Sequence, residues 1–340
     1  SRIVFDFWYP GYLDSFVDFF HIISIMTETA LYRLATPHFY TLDEFPEEYK
    51  DFTLGVFYPS PWKGGWRRLR DAVEYSLTGS KSVLATAATF REKFLFSRYQ
   101  MGKETMARFQ KEPPYAWIIP QDQWDPPVAA RLLNWLIFMG INVYKAKEPF
   151  TSSGTSYPAE TWVIPMSQPF SLYVKAIFEE QVYPDLTKYP GLWQGIVNPQ
   201  KFPDAYLPPY DLAGWTVPFQ MGFRASAANK PLEVSLEPLK EAIPPGGVVE
   251  GGGGYAYLLS PKTNNSYIAS NRILKKGGQI LWAHESFNIG DKSYPAGTMI
   301  VLSNSVARAF IESLAKELYI DIGTAGSRPQ VKTSVLKAPR

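Results

Sequence analysis

Tyr115-Ala116-Trp117-Ile118-Ile119 and Tyr255-Ala256-Tyr257-Leu258-Leu259 are one pattern written twice. Ser156-Tyr157-Pro158-Ala159-Glu160-Thr161 answers in the same way to Ser293-Tyr294-Pro295-Ala296-Gly297-Thr298, and Asp185-Leu186 to Asp321-Ile322. Matches that keep a nearly constant spacing mark an internal repeat. Each copy reads strand, helix, strand, strand, helix. In the first copy Asp125 is an N-cap and Pro126 takes the first helical position. Gly140 stops that helix, and Ile141-Asn142-Val143-Tyr144 is the next strand. In the second copy Gly277-Gly278 stop the helix and Gln279-Ile280-Leu281-Trp282 follow. Strands alternating with helices predict an α/β domain with a largely parallel sheet.

Working outward, Pro113-Pro114 marks a domain boundary. Residues 1–110 then form one domain and 111–330 a second. The second holds repeat one (115–186), a Pro-, Tyr- and Trp-rich insertion (187–250) and repeat two (255–322), with 331–340 a linker tail. A segment as long as 187–250 is expected to cover or to function. Pro244-Pro245-Gly246-Gly247 and Gly251 to Gly254 read as a flexible connection. They lack the Lys-Ser/Thr of a phosphate loop and the spacing of a dinucleotide fingerprint. After the first repeat strand come Asp122, Gln123 and Asp125, where open α/β sheets bind ligands. Capping accounts for Asp125 as well. Lys262, Thr263, Asn264 and Asn265 occupy the corresponding loop of the second copy.

Near the N-terminus, Asp14-Ser15 is placed to cap a short helix over 16–21. Ile22-Ile23-Ser24-Ile25-Met26 is then an apolar run of strand length, which predicts a central strand buried on both faces. It leads into Thr27-Glu28-Thr29-Ala30. A carboxylate at the tip of a buried strand is costly unless paired or used. Glu28 is therefore the candidate catalytic residue. A pair with Arg33, or a cap on the following turn, is its structural alternative. Residues 65–108 read as helical, with Trp66, Leu69, Val73 and Leu77 at helical spacing. Gly79 breaks the pattern and Val83, Leu84, Ala87, Ala88 and Leu95 resume it. Arg67, Arg68 and Arg70 read as a solvated face.

The 340 residues suffice for more than one core. Apolar residues at 46% against 19% charged describe a globular chain. With 34 Lys and Arg against 32 Asp and Glu, nothing in the charge calls for nucleic acid. The absence of cysteine excludes disulfides, thiolate metal sites and a cysteine nucleophile in this chain. His21, His38 and His284 are the only histidines, and none stands in a His-x-x-Glu or His-Glu-x-x-His pattern. No metal site is expected from this chain alone. No Gly-x-Ser-x-Gly occurs. No apolar run reaches the roughly 18 residues of a membrane span, and no signal peptide is seen. The start at Ser1-Arg2-Ile3 reads as a processed or excised piece of a longer protein.

Pro10-Gly11-Tyr12-Leu13-Asp14-Ser15, Met26-Thr27-Glu28-Thr29-Ala30 and Phe57-Tyr58-Pro59-Ser60-Pro61-Trp62 together resemble the zinc carboxypeptidase family. The likeness is to large bacterial members with an appended C-terminal α/β region. It continues through Trp117 to Gln123, Gln181 to Asp185 and Tyr210 to Trp215. The resemblance implies the end of a mixed-sheet peptidase domain followed by an α/β domain of two repeats. It implies a metallocarboxypeptidase that hydrolyses peptide bonds, with Glu28 as the general base. It also implies zinc whose ligands, a His-x-x-Glu pair and a later His, lie upstream and not in this chain. The partners implied are a peptide or protein substrate and an N-terminal fragment of the same precursor, in an exported, periplasmic or extracellular setting. The alternative is a non-catalytic binding or structural module of a larger exported assembly. Trp124, Trp135, Tyr157, Trp162, Trp193, Tyr210 and Trp215 are candidates for a peptide or glycan surface, against a plain role in core and interface.

Overall fold

A computed structural model describes residues 9–27, 29, 33, 35–47, 50–56, 59–182 and 214–337. The chain divides into two compact units, 1–104 with 179–215, and 105–178 with 216–340. The fold is a mixture of helices and antiparallel sheets.

In the first unit, α1 (Leu13–Phe16) runs into a 3-10 turn, Val17–Phe20, which ends at His21 in the left-handed region. The short helix thus starts earlier than the capping pattern predicts, and no side chain caps it. Strands β1 (His38–Tyr40) and β2 (Gly65–Arg67) pair antiparallel, Phe39 opposite Trp66. Tyr40, Phe45 and Trp62 pack edge to face beside them. Then come α2 (Leu69–Thr89) and α3 (Arg91–Phe109). Helix α2 passes through Gly79 unbroken, where a break is predicted. A glycine costs a helix interior only about 1 kcal/mol, and 21 residues of helix absorb it.

The second unit holds two five-stranded sheets. The first is built from β3 (Ala116–Ile119), α4 (Pro126–Phe138), β4 (Tyr144–Ala146), a hairpin β5–β6 (Phe150–Ser152, Thr155–Tyr157), β7 (Trp162–Pro165) and α5 (Ser171–Phe178). After α6 (Val217–Met221), β8 (Ser226–Ala228) and β9 (Leu236–Pro238) complete it. The second sheet follows the same plan. It runs β10 (Ala256–Leu259), α7 (Asn264–Lys275), β11 (Ile280–Ala283), hairpin β12–β13 (Phe287–Ile289, Lys292–Tyr294), β14 (Met299–Leu302), α8 (Arg308–Leu318), β15 (Ile322–Ala325) and β16 (Thr333–Leu336). The strand orders are β8-β3-β7-β4-β9 and β15-β10-β14-β11-β16.

Every strand pairing in these sheets is antiparallel, which corrects the parallel sheet predicted from the alternation of strands and helices. The reason lies in the two consecutive strands of the pattern. Helix α4 carries the chain from β3 across to β4, leaving a gap. The chain turns back through the hairpin and fills that gap with β7, antiparallel to both neighbours. This is the split βαβ arrangement of ferredoxin-like folds, with one further strand at the edge. Strands β8 and β9 lie inside 187–250, the stretch expected as an insertion, and β16 lies inside the expected linker tail. All three are edge or near-edge strands of three or four residues, too short to show a period of their own.

Alternation sorts each strand between two faces. Tyr257 and Leu259 face α7 and α8 and pack with Ile273, Met299, Ile311 and Leu314. Ala256 and Leu258 face the hairpin and pack with Phe287, Tyr294 and Ile300. In the first sheet Ala116, Ile118 and Val163 meet Phe150 and Tyr157 in the same way. The hairpin rings stack at 5.2 Å for Phe150 and Tyr157 and 5.4 Å for Phe287 and Tyr294. Each fully buried Ile or Leu contributes roughly 1.5–3 kcal/mol.

The backbone ties match as well. Tyr115 N–H donates to Ala228 O at 2.8 Å, and Tyr255 N–H to Ala325 O at 2.7 Å. Thr161 Oγ1 donates to Pro158 O, and Thr298 Oγ1 to Pro295 O. The connection between the sheets is pinned rather than free, because Asp321 Oδ1 accepts from the N–H groups of Gly247 and Val248. Among the described residues no helix is long and apolar enough to cross a membrane.

Candidate functional site

Glu28 lies outside the described residues, but the residues on either side of it are placed. Thr29 Oγ1 is 3.3 Å from Ser76 Oγ on α2. The Thr27 methyl lies 3.8 Å from where a Cβ on Gly79 would stand. Ser76 and Gly79 are one helical turn apart, so Thr27 and Thr29 both approach that turn of α2. Arg33, the pairing partner considered for Glu28, has a φ of 38° and sits in a turn.

The run leading into Glu28 is not the buried strand its composition predicts. Residues 22–27 have no regular structure, and Ile23 and Ile25 are 59% and 62% exposed. The physical reason is the lack of a neighbour. The described strands of this unit, β1 and β2, pair only with each other. A strand without an adjoining strand has nowhere to place its backbone groups. With α2 and α3 the run bounds an apolar cleft of about 390 Å³, lined by Ile22, Ile23, Ile25, Val83, Phe94 and Leu95. The helical stripe through Leu69, Val73, Leu77 and Leu84 is also open to solvent.

The three histidines do not converge. His21 is buried at its turn, and its backbone N–H bonds Asp18 O. His38 Nε2 is 2.7 Å from Glu44 Oε1. The Thr41 N–H and His38 hold the Glu44 carboxyl below its ordinary range. His284 Nε2 meets Ser334 Oγ on β16. Among the described residues no three His, Asp or Glu side chains gather as a metal site.

In the second unit the two strand-to-helix loops, far apart in sequence, are brought together. Asp122, Gln123 and Trp124 follow β3, Lys262 follows β10, and with Gly222 and Arg224 they line a cleft of about 410 Å³. Gln123 fixes its floor. Its Nε2 donates to Pro120 O at 2.7 Å and Arg224 O at 2.9 Å, and its Oε1 accepts from Arg224 N–H at 2.8 Å. Arg224 Nη2 pairs with Asp122 Oδ2 at 3.3 Å. Lys262 Nζ stands 4.8 Å from the Trp124 ring centre.

Beneath them Asp125 is the N-cap residue of α4, and its Oδ2 accepts from Asn264 N–H, the first residue of α7, at 2.8 Å. At α4 Asp125 holds the N-cap position without a side-chain capping bond, so its carboxylate serves the N-terminus of α7 alone. Its Oδ1 is buried without a hydrogen-bond partner. Burial pushes the Asp125 carboxyl above its ordinary value of 3.8, against the Asn264 and Val128 N–H groups and Arg131, which pull it down.

The aromatic candidates divide. Tyr157 and Trp162 are core, while Trp124 and Trp135 are exposed. Trp193 and Tyr210 lie outside the described residues, and Trp215 N–H reaches Gln181 Oε1 at 3.3 Å. Arg224 and Gly222 are the cleft residues that sequence reading misses. They come from a stretch without periodicity and reach the cleft only through the completed sheet. Comparisons with protein-family models, with curated proteins and with solved structures each give no match to this chain.

Proposed function

We propose that this chain is part of a zinc-dependent metallocarboxypeptidase in which Glu28 is the general base. The observation that carries the reading is Met26-Thr27-Glu28-Thr29-Ala30 at the end of the apolar run, in the sequence context that resembles that family. Glu28 accepts a proton from the attacking water and returns it to the leaving amine, a role that typically adds roughly 10²–10⁴-fold. The metal ligands come from a segment upstream of Ser1. Residues 1–110 are the end of the peptidase domain, and the setting is outside the cytoplasm. The open run Ile22–Met26, with exposed Val83 on α2 and Leu95 on α3 beside it, supports a face that another segment covers.

We further infer that the two sheets of the second unit descend from one duplicated unit. Their common strand order, matching hairpin stacks and matching backbone ties support this. Glu28→Gln in the protein carrying its upstream segment is expected to lose hydrolysis and to keep zinc. Unchanged hydrolysis would sink the reading.

The second reading is a non-catalytic binding module. The lack of a metal-ligand group among the described residues favours it. Stoichiometric zinc in the isolated chain would count against both readings, and zinc only with the upstream segment supports the first.

A further inference from the structure

We propose that the cleft between the strand-to-helix loops of the two sheets binds the carboxylate or phosphate group of a small anionic molecule, gripped between Lys262 and Arg224. The site lies in the second unit, and its test is independent of Glu28.

The cleft holds about 410 Å³, within the roughly 300–1,000 Å³ of small-ligand sites. Its walls come from distant parts of the chain and are tied together by the protein itself. Gln123 spends its side-chain amide on backbone groups, donating to Pro120 O and Arg224 O and accepting from Arg224 N–H. Arg224 is thereby held at its backbone, and its Nη2 reaches back to Asp122 O and Oδ2. Lys262, from the loop of the second sheet, is held over the Trp124 ring, its Nζ 4.8 Å from the ring centre.

Charge then selects the ligand. The lining carries two cations and one carboxylate, and that carboxylate is already engaged by Arg224. Asp125 is buried and takes no part in the lining. The donors of the two cations, by contrast, are largely unspent. Lys262 Nζ makes no hydrogen bond among the described residues, since a ring face attracts its charge without supplying an oxygen acceptor. Arg224 uses Nη2 alone, which leaves the N–H groups of Nε and Nη1 without an acceptor among the described residues. An oxyanion takes up these donors and offsets the excess positive charge. A cation meets like charge twice, and a neutral ligand gains no charge-assisted bond of that strength. Arg224 is 68% exposed, so one small anion is expected to bind at about millimolar concentration.

The test is ligand-observed NMR titration of the intact chain, at fixed ionic strength, with probes that share one ring and differ in charge: benzoate, phenyl phosphate, benzyl alcohol and benzylammonium. Benzoate or phenyl phosphate is expected to bind saturably, the tighter of the two identifying the head group. The alcohol and the ammonium should bind at least about fivefold more weakly. Lys262→Met should weaken the anion about fivefold. Asp122→Asn, which releases Arg224 from its carboxylate, should tighten it about two- to fivefold, a gain that no loss of fold can mimic. Lys275→Met, the same loss of charge at the far end of α7, should leave binding unchanged. Thermal melts of each variant separate lost binding from lost fold. Alcohol or ammonium bound as tightly as the anions, native affinity in Lys262→Met, an anion weakened by Asp122→Asn, or no saturable binding of either anion would overturn the proposal.

Discussion

Ile22–Met26 and Trp162–Pro165 are both apolar and both of strand length, yet they end in opposite environments. Trp162, Val163 and Ile164 are buried between β3 and β4, whereas Ile23 and Ile25 face solvent. The difference lies in their neighbours and not in their composition. Strand β7 has a partner on each side, a helical layer on one face and a hairpin on the other. The N-terminal run has α2 and α3 nearby but no strand to pair with among the described residues. Hydrophobicity creates the demand for burial, and topology decides whether it is met.

The sharpest way to break this comparison is a matched pair of truncations in the isolated chain. Ile118→Ala, in the first sheet's core, should cost about 2–5 kcal/mol in urea unfolding. Ile23→Ala should stay within about 0.5 kcal/mol. Equal costs would mean that the N-terminal run is packed after all.

The next effect reverses the contrast. With the upstream segment supplied, Ile25 should become the more sensitive position. Ile25→Asp is expected to weaken association by about 2 kcal/mol, roughly 30-fold, in a co-purification or titration assay. No loss would deny that this face is an interface.

Within the second unit, the two sheets can be set against each other at one backbone position. Glu160 and Gly297 both have positive φ, 66° and 86°, and both donate to the strand across the turn. At Gly297 a Cβ would also meet Pro261 and Trp282 at 3.3 Å. Gly297→Ala should therefore cost about 1–2 kcal/mol or more. Glu160→Ala, already in that conformation, should lose only its solvent-screened ion pair with Lys145 and cost less. Equal losses would show that the positive φ and the contacts with Pro261 and Trp282 do not set the cost at Gly297.

The smallest expected effect concerns Asp125. Its carboxyl is raised in the folded chain, so its contribution is fully present below the ordinary value of 3.8 and is lost as pH rises through the folded value. Asp125→Asn should flatten that part of the stability–pH curve while keeping an acceptor for Asn264 N–H. A curve unchanged by the substitution would remove Asp125 from the account.

The sequence made the core of each sheet legible because β3, β7, β10 and β14 are short apolar runs at repeated positions. The helix stops at Gly140 and Gly277 are equally plain, since both take a positive φ, and Asp125 holds the predicted N-cap position although its side chain makes no capping bond to α4. Strand direction was misread because the hairpin between β4 and β7 returns the chain on itself, a fact about connection and not about composition. Strands β8, β9 and β16 were missed because edge strands of three or four residues take their order from a neighbour. Half of the cleft was visible in Asp122, Gln123 and Lys262. Arg224 was not, because its place depends on β8 completing the sheet.

The most direct test of the central claim is to measure zinc content and peptide hydrolysis together, on the protein with its upstream segment, for the native chain and for Glu28→Gln. One zinc per molecule is expected in both, with hydrolysis about 10²–10⁴-fold lower in the variant. Hydrolysis that persists in Glu28→Gln with zinc in place would contradict it.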